Sequence, residues 1–353
     1  MFKGMKTTTL SLLAACFLGL CGCPRMPLAP SEAEVAANNP SASVANLCHI
    51  RVYAGTPLSK ATAAPLSKVA AASVNETRIA SLQVLVFRSD GLLENYASST
   101  GSSLTLDCTV GQKTFWAFAN IASLQNIKTL DELNAFAFSL NTATADALPM
   151  QGCVYATITN HGSLDIVVSR MVCKIVLNDV ITRLGASWAG GSLQLSRIYL
   201  TNAVSGVLLD GSIQSWANKI SYGGECPSLT LDTPPSAGAW DFAATDSLRL
   251  SRVFFALPNP TAEDNLSGSW SPRFTRLVLE GSLKNPDNST ALETAYYPIP
   301  IGNLLANHCY IIQKYTISRP GLDAPNADAS LLETGFTITV KPWDETHVIQ
   351  ERL

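Results

Sequence analysis

From Cys48 to Lys341 the chain is a succession of short runs in which apolar residues keep to one face, each closed by Gly, Pro, Asn or Ser. Alternation at period two puts successive side chains on opposite faces of an extended backbone, so these runs predict β-strands. In the first, Cys48, Ile50, Val52 and Ala54 share one face and His49, Arg51 and Tyr53 the other. Near the end, Phe336, Ile338 and Val340 alternate with Thr337, Thr339 and Lys341. Ile79 to Phe87 and Lys113 to Asn120 are apolar on both faces, the pattern of strands inside a covered sheet. Further strands are expected at Leu193 to Leu200, Arg252 to Leu257, Phe274 to Leu283 and His308 to Ser318. One helix is signalled: Thr129-Leu-Asp-Glu132 is a capping box leading into Leu133 to Phe138. Gly206 to Asp246 is rich in Gly, Ser and Pro and reads as loops. The pattern predicts an all-β chain with a few short helices, arranged as sandwiches.

The 353 residues suffice for two domains with their own cores. A boundary is expected near Ser169, where Leu164 to Ser169 finishes one sheet and Arg170 to Leu177 opens the next. This gives an N-terminal sandwich over 47–169 and a C-terminal one over 170–353.

The first residues read as a targeting signal. Lys3 and Lys6 form a positive start, and Thr7 to Gly19 an apolar stretch shorter than the ~20 residues that span a bilayer. Leu20-Cys21-Gly22-Cys23 looks like a lipobox with Cys23 as the acylated residue, and Leu13-Ala14-Ala15-Cys16 offers Cys16 as the alternative. Residues 1–23 are then a lipoprotein signal peptide, and 24–46, without an aromatic residue, a flexible tether. The expected membrane partner is outer-membrane lipid, reached through that acylated cysteine.

Charged residues make up 14% of the chain, its net charge is −3, and no basic run marks a nucleic-acid partner. Beyond the signal stand six cysteines, Cys48, Cys108, Cys153, Cys173, Cys226 and Cys309. Four of them (Cys108, Cys153, Cys173 and Cys309) sit inside apolar runs, where a thiol behaves as a small hydrophobe. Buried thiols are the reading preferred over disulfides, and no Cys-x-x-Cys pair suggests zinc. Gly-x-Ser-x-Gly, His-Glu-x-x-His and phosphate-loop motifs are absent, and His49, His161, His308 and His347 are scattered. His308 and Cys309 are neighbours on a strand and so point to opposite faces. No catalytic residue, metal or cofactor is expected. Trp188, Trp216, Trp240 and Trp270, in Gly/Ser/Pro-rich surroundings, are candidates for a lipid-anchored module that binds glycans or proteins.

The stretch from Tyr297 to Trp343, with Asn307-His-Cys-Tyr310, Thr316-Ile-Ser-Arg-Pro-Gly321, the closing strand and Trp343, resembles the C-terminal end of fimbrillins, the type V pilus subunits of Bacteroidales. Four upstream segments are similar to that family in the same order: Arg78 to Phe87 with Ser89-Asp-Gly-Leu-Leu, Gly111 to Asn120 with the capped helix after it, Leu148-Pro-Met-Gln-Gly152, and Arg170 to Leu177. The resemblance implies two tandem transthyretin-like sandwiches. It also implies a structural subunit of an adhesive fimbrium on the outer surface, partnered by other fimbrial subunits and a maturation protease. In that family the first strand is cut away, and a C-terminal strand of the next subunit takes its place. Cys48, Ile50, Val52 and Ala54 then belong to the removable strand, on a rim of the sandwich. Lys60, Lys68, Arg51 and Arg78 are the candidate cleavage points, and Trp343, Val348, Ile349 and Leu353 belong to the donor-strand candidate. The chain departs from the family twice: Gly55 to Thr77 holds no arginine, and the tail after Trp343 has only three apolar residues. Both departures point to a tip or anchor subunit ahead of a stalk subunit.

Overall fold

A computed structural model describes residues 47–56, 76–141, 143–185, 188, 190–227, 240–265, 269–284, 291–332, 335–343 and 349–351. The signal peptide and tether, with Cys16 and Cys23, lie outside the described residues, as do Lys60, Lys68, Val348 and Leu353. The described chain is built from four β-sheets, as the alternating runs predict.

Sheet I has β1 (Leu47–Gly55) between β4 (Ser103–Thr109) and β7 (Gly162–Val167). Sheet II runs β3 (Leu93–Thr100), β2 (Ser81–Arg88), β5 (Gly111–Ala119), β6 (Met150–Ile158), β8 (Ser169–Arg170). The two sheets close on one core: Ile50, Val52, Leu104 and Leu106 from sheet I meet Leu82, Val84, Phe115 and Met150 from sheet II. The other face of sheet II is also covered. Leu85, Phe87, Trp116 and Phe118 pack with Leu133 of the helix and with Val207, Phe255 and Leu257 from later in the chain. Two covered faces explain why β2 and β5 lack alternation.

The remaining strands form the second pair of sheets. Sheet III runs β13 (Thr245–Ala256), β9 (Cys173–Arg183), β16 (His308–Ile317), β17 (Gly335–Pro342), β18 (Ile349–Glu351). Sheet IV runs β11 (Lys219–Tyr222), β10 (Ser192–Val204), β14 (Thr275–Lys284), β15 (Ala291–Ile301), with β12 (Trp240–Ala243) also on β10. Between them lies the largest core, including Ile175, Leu195, Phe254, Leu279, Tyr297 and Ile312.

Several expectations are corrected by tertiary contacts. Gly206 to Asp246 is not all loop: β11 and β12 both fall in it, drawn into strand form by the long central β10. The helix α1 (Leu130–Asn134) ends well before Phe138. Phe138 instead exchanges backbone bonds with Val207 (2.8 and 3.0 Å), which takes the chain out of helical geometry. The Thr129 hydroxyl does accept from the Glu132 N–H at 3.1 Å, while the Glu132 carboxylate bonds the N–H of Lys128 (2.6 Å), one residue ahead of the N-cap. Arg170 is not the start of the second pair of sheets; it pairs with Met150 and closes sheet II.

The outer edge of β15 is guarded. Tyr296 and Leu322 exchange both backbone bonds (2.9 and 2.8 Å), so the even-numbered residues of this strand aim their amides away from β14. Pro298 and Pro300 occupy the next two such positions and have no N–H to offer a neighbouring strand. Replacing both with valine restores two outward donors. The expected outcome is self-association of the unprocessed chain, read by light scattering, with an unchanged circular dichroism spectrum.

Candidate functional site

β1 reads exposed-buried-exposed along its whole length, with Cys48, Ile50, Val52 and Ala54 inward. Its place corrects the expectation of a sandwich rim: β1 is the middle strand of sheet I. It pairs antiparallel with β4 from Leu47↔Thr109 to Tyr53↔Ser103, and parallel with β7 from Ile50↔Gly162 to Gly55↔Val167. The reason is topological. β4 follows β3, at one edge of sheet II, by a short connection, β7 follows β6, toward the other edge, and the two leave between them a gap one strand wide. Removing β1 would therefore open a slot with backbone donors and acceptors on both walls and an apolar floor, instead of extending a bare edge. Burial of Ile50 and Val52 contributes about 1.5–3 kcal/mol each. Two lost ladders raise the cost toward the ~5–15 kcal/mol that holds a whole domain together.

The β4 wall is tied to the body independently of β1. Lys113 of β5, only 4% exposed at its side chain, reaches Glu94 of β3 at 2.5 Å and the Thr109 hydroxyl at 2.8 Å, while the Thr109 N–H donates to Glu94 at 2.5 Å. This cluster fastens the end of β4 to sheet II. Burial pushes the Glu94 carboxyl up, but the Lys113 ammonium and the Thr109 N–H more than offset it, and its pKa lies below the ordinary value. At the open end of β7, the ring of His161 continues the ladder by accepting the His49 N–H at 2.8 Å. The two imidazoles stack at 5.0 Å, and His49 Nδ1 pairs with Asp107 on the exposed face.

The segment that enters β2 is held at several points. Asn120, in left-handed geometry (φ 59°) after β5, accepts from the N–H groups of Ala80 (2.8 Å) and Ser81 (3.3 Å). Its amide donates to the carbonyls of Arg78 (2.8 Å) and Leu148 (2.9 Å), which gives the residue that ends the Gly111 to Asn120 segment a physical role. Two residues upstream, Glu76 reaches the second half of the chain. Its carboxylate binds Lys174 of β9 at 2.5 Å and the indole N–H of Trp343 at 2.8 Å, and its carbonyl accepts from Arg170 at 3.2 Å. Trp343 lies parallel to Phe255 at 5.7 Å, with the Arg170 guanidinium 4.6 Å above its ring. Asn307 accepts from the Trp343 backbone N–H at 2.9 Å and from Arg170 at 3.1 Å.

The sequence candidates therefore divide. Arg51 lies within β1, its guanidinium over the Tyr53 ring, where both strand ladders protect the backbone. Arg78 is exposed in an irregular segment, its side chain on Asp146 at 3.0 Å. Trp343 is held in the chain's own packing by Glu76, Phe255 and Asn307. Ile349 lies in β18, which pairs with β17 at Val340. Glu76, Lys174 and Arg170 escaped sequence reasoning, because their only signal is a contact spanning much of the chain.

Cys48, Cys108, Cys173 and Cys309 are buried and Cys153 and Cys226 half-buried, all as thiols. Burial pushes Cys108 up to about 11 and Cys173 and Cys226 up to about 12, far from a reactive thiolate. Trp188 and Trp240 pack against the core between sheets III and IV. Trp216 carries Lys219 at 4.2 Å and Arg273 at 4.4 Å, and Trp270 donates to the Asn326 carbonyl at 2.7 Å. These rings are engaged by the protein's own groups. No helix of the described residues is long and apolar enough to cross a membrane.

A protein-family model described as "Major fimbrial subunit protein (FimA)" matches residues 50–178, from inside β1 to inside β9. The fimbrillin resemblance is borne out. Solved structures extend the likeness over most of the chain. A fimbrilin from Porphyromonas gingivalis superposes with a TM-score of 0.58 at 16% identity, covering 85% of this chain and 98% of that one. A candidate cell adhesion protein from Bacteroides eggerthii gives 0.58 at 16% identity, over 85% and 97%. Another from Parabacteroides distasonis gives 0.59 at 14%, over 85% and 98%. At such identities the structures speak for the fold. No curated protein matches the sequence.

The Glu94–Lys113 pair makes a pH prediction. A depressed folded-state pKa contributes stability above the unfolded value, about 4.3, and that contribution is lost as pH falls through the folded value. Urea midpoints are expected to drop below about pH 4 in the parent and to drop less in Glu94→Gln. At pH 7, Glu94→Ala leaves Lys113 buried without its carboxylate and is expected to cost about 3–5 kcal/mol.

Proposed function

We propose that this protein is a structural subunit of a fimbrial polymer and that it joins the polymer by strand exchange. A protease severs the connection after β1, the strand leaves, and a strand from a neighbouring subunit enters the slot between β4 and β7. The observation that carries the reading is the placement of β1: a single strand, closest to the start of the described chain, fills a slot between β4 and β7 whose β4 wall is fastened to sheet II by Lys113 and Glu94. Strand addition suits such a slot, because backbone bonds on both sides supply affinity and alternate inward pockets supply register. The matched family, one of fimbrial subunits, supports the structural role. Non-enzymatic action, export as a lipoprotein through Cys23 or Cys16, and display at the outer surface for adhesion complete the proposal.

The division of the chain at about residue 170 also fits. The slot belongs to sheets I and II, whereas the tail follows β17 of sheet III, so acceptor and donor lie in different halves. A head-to-tail contact of that kind does not close on itself and generates a filament.

The test cuts the purified chain between Gly55 and Ile79 and follows two products. Mass spectrometry after gel filtration is expected to show loss of the peptide containing β1, and unboiled electrophoresis a ladder of polymers. Retention of that peptide, or a processed chain that stays monomeric in the presence of excess subunit, overturns the proposal. The Ile50→Asp/Val52→Asp double variant should destabilise the uncut chain yet leave an assembled polymer at parental stability, since the altered strand is no longer present. Equal damage to both forms would count against a removable strand.

A further inference from the structure

The geometry points to Glu76 as a latch that keeps the C-terminal tail folded on its own subunit until the segment bearing Glu76 departs with the first strand. This rests on the strand-exchange reading and adds a device to it: the chain that plugs the acceptor slot also restrains the donor.

Glu76 lies between β1 and β2, upstream of the exposed Arg78. Its carboxylate is the acidic contact that the structure gives Lys174 and the acceptor for the indole of Trp343, the last described residue before the connection to β18. Glu76 and Lys174 are only 16% and 19% exposed at their side chains, so their mutual attraction is weakly screened. Around the Trp343 ring stand two cations, Arg170 at 4.6 Å and Lys174 at 5.7 Å. With the carboxylate in place, the Lys174 ammonium is paired and the indole N–H is satisfied. Without it, a shielded ammonium and an indole donor lose their partner together, and leaving half of such a pair behind is more costly than never having built it.

The position of a cut then decides what a processed subunit can do. Cleavage upstream of Glu76, at Lys60 or Lys68, frees β1 but leaves the carboxylate on Lys174 and Trp343. Such a product has an open slot and a restrained tail. Cleavage after Arg78 removes β1 and Glu76 together, so that one event opens the slot and releases the root of the tail. Asn120 still holds Ala80 and Ser81, and the start of β2 stays in place.

Hydrogen exchange of peptides covering Gly335–Trp343 tests this, because the Trp343 amide is bonded to the Asn307 carbonyl and reports on the seat. In the full, uncut chain, Glu76→Ala is expected to speed exchange at Lys341–Trp343 on the order of tenfold while peptides of β1 keep parental protection. Glu76→Gln retains an acceptor for the indole, guards against a folding defect, and should give a smaller increase. Chain cut after Arg78, prepared from a Lys60→Gln/Lys68→Gln variant, should match Glu76→Ala; chain cut at Lys68, prepared from Arg78→Gln, should match the uncut parent. Exchange within about twofold of the parent in both Glu76 variants overturns the latch. Retention of the β1 peptide after either cut overturns the removable strand instead, and the Glu76 variants still read the latch in uncut chain.

Discussion

The central placement of β1 in a three-stranded sheet is the constraint on which the rest of the architecture depends. A strand at an edge is held by one ladder, and its loss exposes a ready template for aggregation. A strand between two neighbours is held by two, and its loss leaves an enclosed vacancy that only another strand of matching alternation can fill. The apolar floor under β1 belongs to β2, β5 and β6, which stay joined to the helix and to the later sheets through the second face of sheet II. Under the proposed exchange, β1 leaves while most of the folded mass keeps its contacts. The family match covers β1 and its neighbours, and the likeness to a solved fimbrilin extends to the fold of most of the chain.

The rest of the molecule limits where another strand can attach. The outer edge of β15 carries Pro298, Pro300 and the Leu322 bridge, which leave an approaching chain few donors to pair with. The terminal edge of sheet III is capped by β18 from the chain's own tail. Polymerisation through backbone pairing needs one open site and closed edges elsewhere, or growth would branch. The buried Lys113–Glu94 cluster serves the same end by keeping the β4 wall on sheet II whether or not β1 is present.

Much of the fold was legible from local pattern. The alternation at Cys48–Ala54 predicted which side chains turn inward, and the uninterrupted apolar faces of Ile79–Phe87 and Lys113–Asn120 predicted strands covered on both sides. Both follow from the two-residue period of an extended chain and need no knowledge of partners. The short strands β11 and β12 were not legible, because Gly/Ser/Pro-rich sequence takes strand form there only beside β10. The helix was read too long for the same kind of reason: Phe138 is claimed by Val207, nearly seventy residues later.

The candidate site divides along the same line. Sequence alone determined the inward face of the first strand and the stop at Asn120, because both depend on neighbours a few positions away. Only the tertiary structure decided that β1 is central instead of peripheral, that Trp343 is embedded instead of free, and that Glu76 joins the two. Strand order and ion pairing between residues 76, 174 and 343 depend on how the chain returns through space, and a local pattern carries no record of that path.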